Sequence, residues 1–493
     1  MQNQRTRNVA AQATLDGIAL DATAAMPLPQ QLYRHLKSMI LEGHLKAETA
    51  LPSSRQLASD LGIGRNTVIA AYEQLASEGY IDSHERARSF VAKLALQPQG
   101  SKRQPSAFTT GSLSRRGSIM AKEPRQQGFP GIRAFHPGLP DVSLFPFDKW
   151  RRVLSNRLRP SGEDLFGYHH IAGYPGLRTS IANYLQTSRN VKCDEQQIAV
   201  TTGAQAALDI LARLLIDPGD DVWLEEPGYL GAQSAFLAAG ANIMPLHVTQ
   251  DGWDLSRMPS RPPKVIYLTP SCQSPLGVTM RMEQRLTFLE LASKWGAWVI
   301  EDDFDSEYRF TGQPIPAMQG TDRYGRTIYV GTFAKTLMPA LRLGFVVLPP
   351  GFQEAFQSAI NLTGQYPPLA LQAALADFMD RGFFAQHLRR TRRLYAKRRD
   401  AFVGLCNTML GKWLTHDLSD TGLQIVWEFR KPVDDKRIAG EGLEAKLNLA
   451  PLSQYYRHGR GQSGLVMGFA AINEREMRNG LQRLRTILTR HAP

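Results

Sequence analysis

From residue 131 onward, short apolar runs alternate with stretches of helical length, and this pattern restricts the chain to few architectures. The runs include "IAVTTG", "DVWLEEPGY", "VIYLTPS", "AWVIEDD", "TIYVGT" and "RLGFVVLP". Strands covered on both faces read as nearly continuous apolar runs, so the alternation predicts a mostly parallel sheet wrapped by helices. The last hundred or so residues, from the basic helix "HLRRTRRLYAKRRDAFVGL" onward, read as a smaller α+β subdomain over about 380–490. With 493 residues the chain is expected to hold about two or three domains. Its composition, 43% hydrophobic, is enough for a large core. No run is long and uncharged enough to cross a bilayer, so no membrane partner is expected. The first residues lack the apolar block of a secretory signal, and a cytoplasmic protein is expected. Three widely spaced cysteines, Cys193, Cys272 and Cys406, offer neither a disulfide framework nor metal-ligand spacing.

Residues 1–26 read as an N-terminal tail, and residues 27–93 form a separate patterned unit. Leu32, Leu36, Met39 and Ile40 recur at helical spacing, and Gly43 closes that helix. "LPSSRQLASDLGI" then offers Ser53 or Ser54 as an N-cap, with Leu57, Ala58 and Leu61 inward. In "RNTVIAAYEQLASEGYI" the inward stripe is Val68, Ala71, Tyr72 and Leu75, which leaves Arg65, Asn66 and Thr67 outward on the first turn. Two short helices joined by a glycine-containing turn are the helix-turn-helix layout. "GYIDSHERARSFVA" adds two apolar strands around a tip carrying Arg86 and Arg88, which suits a wing. Ser54 and Arg55, on the helix before Arg65, Asn66 and Thr67, complete the expected surface for double-stranded DNA.

The formal net charge is +13, but the excess is not concentrated in that unit. Residues 1–95 hold ten basic side chains against nine acidic, whereas residues 96–130 hold six against one. Charge alone therefore does not identify a DNA-binding protein. Residues 94–130, rich in Gln, Ser, Pro and Gly, read as a flexible basic linker.

In an open α/β sheet, ligands sit beyond the carboxyl ends of the strands, so the polar groups there belong together. They are Gly203, Ala204 and Gln205 after "IAV", Tyr229 after "DVWLEEP", Ser274 after "VIYL", Asp302 after "AWVI", and Lys335 and Arg342 in "YVGTFAKTLMPALRLGF". A lysine beside a strand is usually a solvated surface group. Here it is joined by a helix-opening turn, a carboxylate, an aromatic ring and an arginine, the set a pyridoxal phosphate site requires. The helix start after Gly203 and Arg342 would hold the phosphate. Asp302 would pair with the pyridine nitrogen, Tyr229 would stack on the ring, and Lys335 would form the Schiff base.

"IEDDFDSEYRF", "GTFAKTLMPALRLGF", "TTGAQAALDILARLL" and "EEPGYLGAQSAF" resemble fold type I aminotransferases. With the helix-turn-helix unit in front, residues 27–490 resemble the MocR subfamily of GntR-type transcriptional regulators. That resemblance implies a winged helix-turn-helix, mainly α with a β wing, followed by an aminotransferase-like α/β domain over residues 131–490. It implies that the ring-nitrogen aspartate is Asp302 rather than Asp303, from its spacing to Lys335. It also implies a head-to-tail homodimer in which Tyr168 of "FGYHHIAGYPGLR" reaches the partner's phosphate, and an arginine of the small subdomain, Arg457, that binds an effector carboxylate. The chain departs from the family pattern at Phe304, where a tyrosine is usual, at Cys272 and Leu276, and at Gly64, where the reader usually has serine.

The function implied is a regulator that senses a small amine or amino acid, or pyridoxal phosphate itself, by Schiff-base exchange at Lys335, and so changes how its winged helices sit on promoter DNA. The alternative is an active aminotransferase with a vestigial DNA-binding module. Turnover on the order of 1 to 1000 per second with amino acid and keto acid would favour the enzyme.

Overall fold

Leu32, Leu36 and Ile40 fall on one face of the first helix, and the fold of the small unit grows from that face. A computed structural model describes residues 18–82, 89–93, 113–122, 131, 134–159, 165–167, 170–313, 315–417, 419–458 and 461–491. The chain divides into two units, Met1–Thr109 and Thr110–Pro493.

In the first unit, α1 (Leu28–Leu41) starts behind Pro27 and buries Leu32, Tyr33, Leu36 and Ile40. The second helix, α2 (Ser54–Leu61), is capped by Ser53, whose hydroxyl accepts from Gln56 N at 3.2 Å, and it ends at Gly62 with φ 64°. The cap thus falls on the first of the two serines. The third, α3 (Arg65–Ser77), begins at Gly64 with no side-chain cap and buries Val68, Ala71 and Leu75. β1 (Ile81–Asp82) and β2 (Phe90–Val91) pair antiparallel, and Ile81 and Val91 close one apolar cluster with the three helices. The arrangement is a winged helix-turn-helix.

The second unit is built on an eight-stranded sheet. Its strands are β3 (Ile198–Thr201), β4 (Asp221–Glu226), β5 (Asn242–Thr249), β6 (Gly252–Trp253), β7 (Val265–Leu268), β8 (Trp298–Asp303), β9 (Thr327–Thr332) and β10 (Gly344–Val347). Their order is β3-β10-β9-β8-β7-β4-β5-β6. Pairs from β9 through β5 are parallel, while β10 runs antiparallel to both its neighbours and β6 antiparallel to β5. β3, β7 and β10 are buried along their whole length, which is why they read as apolar runs. β5 alternates buried and partly exposed positions towards the sheet edge and gave no such run.

A four-stranded antiparallel sheet, β11 (Leu414–Thr415), β12 (Gln424–Phe429), β13 (Ala450–Pro451) and β14 (Gly464–Gly468), forms the smaller subdomain in the order β11-β12-β14-β13. Its boundary differs from the expected 380–490, because an upstream segment joins it. Gly468 N donates to Phe135 O at 3.0 Å, Asn448 N donates to Ala134 O at 2.8 Å, and the Phe135 ring packs 5.6 Å from Phe402. One further expectation is corrected. A helix over Arg115–Lys122 lies within the stretch read as linker, its first turn closed by Ser114 Oγ accepting from Gly117 N. In the basic helix, Phe383–Leu410, Arg399 is buried and Arg398 pairs with Asp141 at 2.8 Å. Among the described residues, no helix is long and apolar enough to cross a membrane.

Candidate functional site

The carboxyl ends of β3, β4, β7, β8 and β9 open onto one cavity of about 430 Å³, within the usual size of small-ligand pockets. Gly203, Ala204, Gln205, Tyr229, Ser274, Asp302, Lys335 and Arg342 all line it. The sequence-predicted set is thus brought together from separate strands, with Tyr168 lying outside the described residues.

Asp302 ends its strand inside the protein. Tyr267 donates to its Oδ2 at 2.7 Å, while Oδ1 is buried with no hydrogen-bond partner. Burial pushes its carboxyl up to about 7, against the opposing bond from Tyr267. A buried carboxylate with one acceptor unused calls for a cationic N–H donor. Asp303 points to the other face of the strand, as successive residues must. It is already occupied by Arg189 at 2.8 Å and by the Tyr329 hydroxyl at 2.6 Å. Asp303 Oδ1 is also without a partner, so what separates the two aspartates is that Asp302 lines the cavity while Asp303 is paired with Arg189 away from it.

Lys335 Nζ donates to Gly138 O at 2.6 Å. Gly138 has φ 61°, a backbone conformation that favours glycine, and a Cβ there would displace Nζ from this position. Sequence reasoning missed Gly138, which belongs to a loop far upstream of the sheet. It also missed Asp305, whose carboxyl burial pushes up to about 6, with Lys335 opposing, and whose Oδ1 is buried without a partner.

At the other end, Gly203 with φ 84° opens the helix Ala204–Leu215, which has no side-chain cap. Its first backbone N–H groups are therefore available for an anion. Arg342, in the left-handed region at φ 51°, reaches Thr202 O at 3.3 Å. Gly344 lets β10 approach this turn, since a Cβ there would come within 2.7 Å of the Gly203 carbonyl carbon. Gln205 Nε2 donates to Gly231 O at 2.9 Å and holds the segment beneath Tyr229. Phe304 also lines the cavity and brings no hydroxyl.

These features fit pyridoxal phosphate: an anion-ready helix start with a guanidinium, a primary amine, and an unsatisfied buried carboxylate. Arg457 is not part of the cavity lining. It stands exposed, and its backbone N donates to Glu226 Oε1 at 2.6 Å.

In the first unit Arg55, Arg65 and Asn66 are exposed, and Ser54 and Thr67 half-buried. Arg65 Nε donates to Ser54 Oγ at 3.3 Å, which ties the start of α3 to α2. Arg86 and Arg88 lie outside the described residues.

A helix-turn-helix reader carried in one chain with an aminotransferase-like body defines a class of transcriptional regulator, and comparison with known proteins gives the same class. Residues 28–91 match the bacterial regulatory proteins of the gntR family, and residues 141–484 match aminotransferase class I and II. The chain is 48% identical over 469 residues to the "Probable rhizopine catabolism regulatory protein MocR" of Rhizobium meliloti, covering 95% of each. It is 28% identical over 467 residues to the pyridoxine biosynthesis transcriptional regulator PdxR of Corynebacterium glutamicum, covering 94% of this chain and 96% of that one. Among solved structures it is similar to the α-aminoadipate aminotransferase LysN of Thermus thermophilus, complexed with N-(5'-phosphopyridoxyl)-L-leucine. That match has a TM-score of 0.67 and 27% identity, and covers 73% of this chain and 92% of the other. The chain belongs to the MocR-type regulators of the GntR family, with a DNA-binding winged helix-turn-helix and an aminotransferase-like domain.

Proposed function

We propose that this regulator binds pyridoxal phosphate at Lys335 and responds to a small primary amine, or to the cofactor itself, by changing its affinity for promoter DNA. The observation that carries the reading is the buried Asp302 with its unused Oδ1, in the same cavity as the amine of Lys335. Bound there, pyridoxal phosphate supplies an electrophilic carbonyl that condenses reversibly with primary amines. Asp302, whose Oδ1 is buried without a partner, would hold the protonated ring nitrogen and so be relieved of its desolvation. The helix start at Ala204 and Arg342 would hold the phosphate, Tyr229 would cover the ring, and Ser274 would bring a hydroxyl where Phe304 has none. Lys335 would hold the cofactor by its amine, a small primary amine would compete for the same carbonyl, and Gly138 O accepts from Lys335 Nζ when that amine is free.

Displacement changes regulation only if the two states differ in affinity for DNA. DNA is contacted by Ser54, Arg55, Arg65, Asn66 and Thr67, with Arg86 and Arg88 of the wing on the backbone. A head-to-tail homodimer completes each site with Tyr168 of the second copy. The names of two relatives, concerned with rhizopine catabolism and pyridoxine biosynthesis, support an effector that is a small metabolite.

The test is to add pyridoxal phosphate to the full chain, record the visible absorbance, and compare promoter binding before and after. A visible band absent from Lys335→Ala, with DNA affinity changed by cofactor or by amine, is the expected result. No band, or a band unchanged in Lys335→Ala, overturns the assignment.

A further inference from the structure

The two aspartates at the end of β8 lie on opposite faces of the sheet, and each receives a tyrosine hydroxyl from a neighbouring strand through the same register. On one face Tyr267 of β7 stands opposite Ile300, so Asp302, two residues further on, is its diagonal neighbour. On the other face Tyr329 of β9 stands opposite Glu301, and Asp303 is its diagonal neighbour. Diagonal neighbours in a sheet are within reach of long aromatic side chains. The hydroxyls donate at 2.7 Å to Asp302 Oδ2 and at 2.6 Å to Asp303 Oδ2.

What completes each pair differs. Asp303 is joined at 2.8 Å by Arg189, itself buried. Asp302 instead lines the cavity, with Oδ1 buried and unpartnered. The same strand-to-strand device thus serves an internal ion pair on one face and the ligand cavity on the other.

Packing does not call for the Tyr267 hydroxyl. The ring is fully enclosed, 6.0 Å from the Phe236 ring on the helix Leu230–Ala239 and in one apolar cluster with Ile300 and Ile328. A phenylalanine ring has the same apolar body, and a buried hydroxyl costs free energy unless it is bonded. Burial raises the Tyr267 phenol well above its usual range, so the group keeps its proton and donates. Burial also raises the Asp302 carboxyl, with the Asp303 charge adding to it, and the bond from Tyr267 opposes that rise ahead of the Lys335 ammonium. Without the bond Asp302 shifts towards its neutral form, which has no charge to offer a cationic N–H donor.

We infer that Tyr267 is a positioning residue of the cofactor site: its hydroxyl holds one oxygen of Asp302 and keeps the carboxylate charged, leaving the other oxygen for the protonated ring nitrogen of pyridoxal phosphate. The inference rests on the cofactor site proposed above and adds to it a residue outside the cavity lining.

The test titrates the cofactor-free full chain with pyridoxal phosphate and with 1-deazapyridoxal 5'-phosphate, in which a C–H replaces the ring nitrogen. Visible absorbance and melting temperature are the readouts. The unsubstituted chain should bind the analogue at least about tenfold more weakly. Tyr267→Phe should raise the half-saturation for pyridoxal phosphate about five- to tenfold, and that for the analogue less than about twofold. In an Asp302→Asn background the same substitution should add less than about twofold, because the two residues act through one contact. Tyr329→Phe, the counterpart on the other face, should lower the melting temperature and leave both half-saturations unchanged. The inference is overturned if the unsubstituted chain binds the two compounds equally, or if Tyr267→Phe weakens both alike or neither. It is also overturned if that effect adds in full to Asp302→Asn, or if Tyr329→Phe weakens pyridoxal phosphate as much. A chain that shows no visible band with either compound overturns the cofactor site itself, and this inference with it.

Discussion

The reader and the aminotransferase-like body place their functional groups in opposite ways. The reader puts Arg55, Arg65 and Asn66 on its surface, on the first turns of helices whose inner faces hold the fold together. The body sinks Asp302 and Asp305 among buried strands and leaves an oxygen of each without a partner. An exposed cation is already solvated and gains from phosphate mainly by releasing counterions. A buried, unsatisfied carboxylate stores a desolvation cost that the right ligand relieves. The first arrangement yields a graded, salt-dependent affinity, the second a sharp dependence on single atoms.

The largest expected effect follows from the buried site. Lys335→Ala should remove the visible absorbance of the cofactor-loaded chain entirely while sparing binding to non-specific DNA, as read by spectroscopy beside a gel-shift assay. Weakened non-specific binding would mean the two units are not separable in this sense. Asp302→Asn should come next. It keeps the shape but loses the charge that pairs with a cationic donor, and should weaken cofactor binding by about one to two decades in an equilibrium titration.

Arg65→Ala should act on the other side of the comparison. DNA affinity should fall and its logarithmic salt slope should drop by about one unit, with the cofactor spectrum untouched. An unchanged slope would move the reading surface elsewhere.

The smallest effect is on stability, and its sign differs between the units. In the body, burial raises the carboxyls of Asp302 to about 7, Glu225 to about 7 and Asp305 to about 6. These groups bind protons in the folded state that the unfolded chain has released, so stability falls as pH rises from about 4 to about 7. In the reader, the Glu78 carboxyl is lowered to about 2, first by its hydrogen bond from Lys37 and then by that from Tyr33. Its contribution is present above the usual carboxylate range and is lost as pH falls towards 2. Calorimetry of the cofactor-free chain should find the body melting lower at pH 8 than at pH 5, and Asp302→Asn should flatten that trend. The reader should not share it.

Much of this was legible in the sequence, for different reasons in the two units. The reader's helices follow from period and turn chemistry, because each apolar stripe and each cap lies within a few residues of the group it serves. Ser53 at an N-cap and Gly62 after a helix carry local instructions. In the body, apolar runs mark the strands and polar residues mark their ends, so Lys335, Asp302, Arg342 and Tyr229 could be gathered from the pattern. Gly138 could not, since the group its carbonyl accepts from, Lys335 Nζ, lies almost two hundred residues away in the chain. Nor could the inclusion of Phe135 in the smaller subdomain, or the exclusion of Arg457 from the cavity.

By itself the sequence determined the two units, the class of sheet, and the residue types available at its carboxyl edge, because hydrophobic period and turn residues act over short distances. Tertiary structure alone decided which of two adjacent aspartates lines the cavity, which loop receives the lysine, and which uncharged side chains from the smaller subdomain face the cavity. Those outcomes depend on desolvation and on hydrogen bonds between residues far apart in the chain, and neither is written in any single stretch of it.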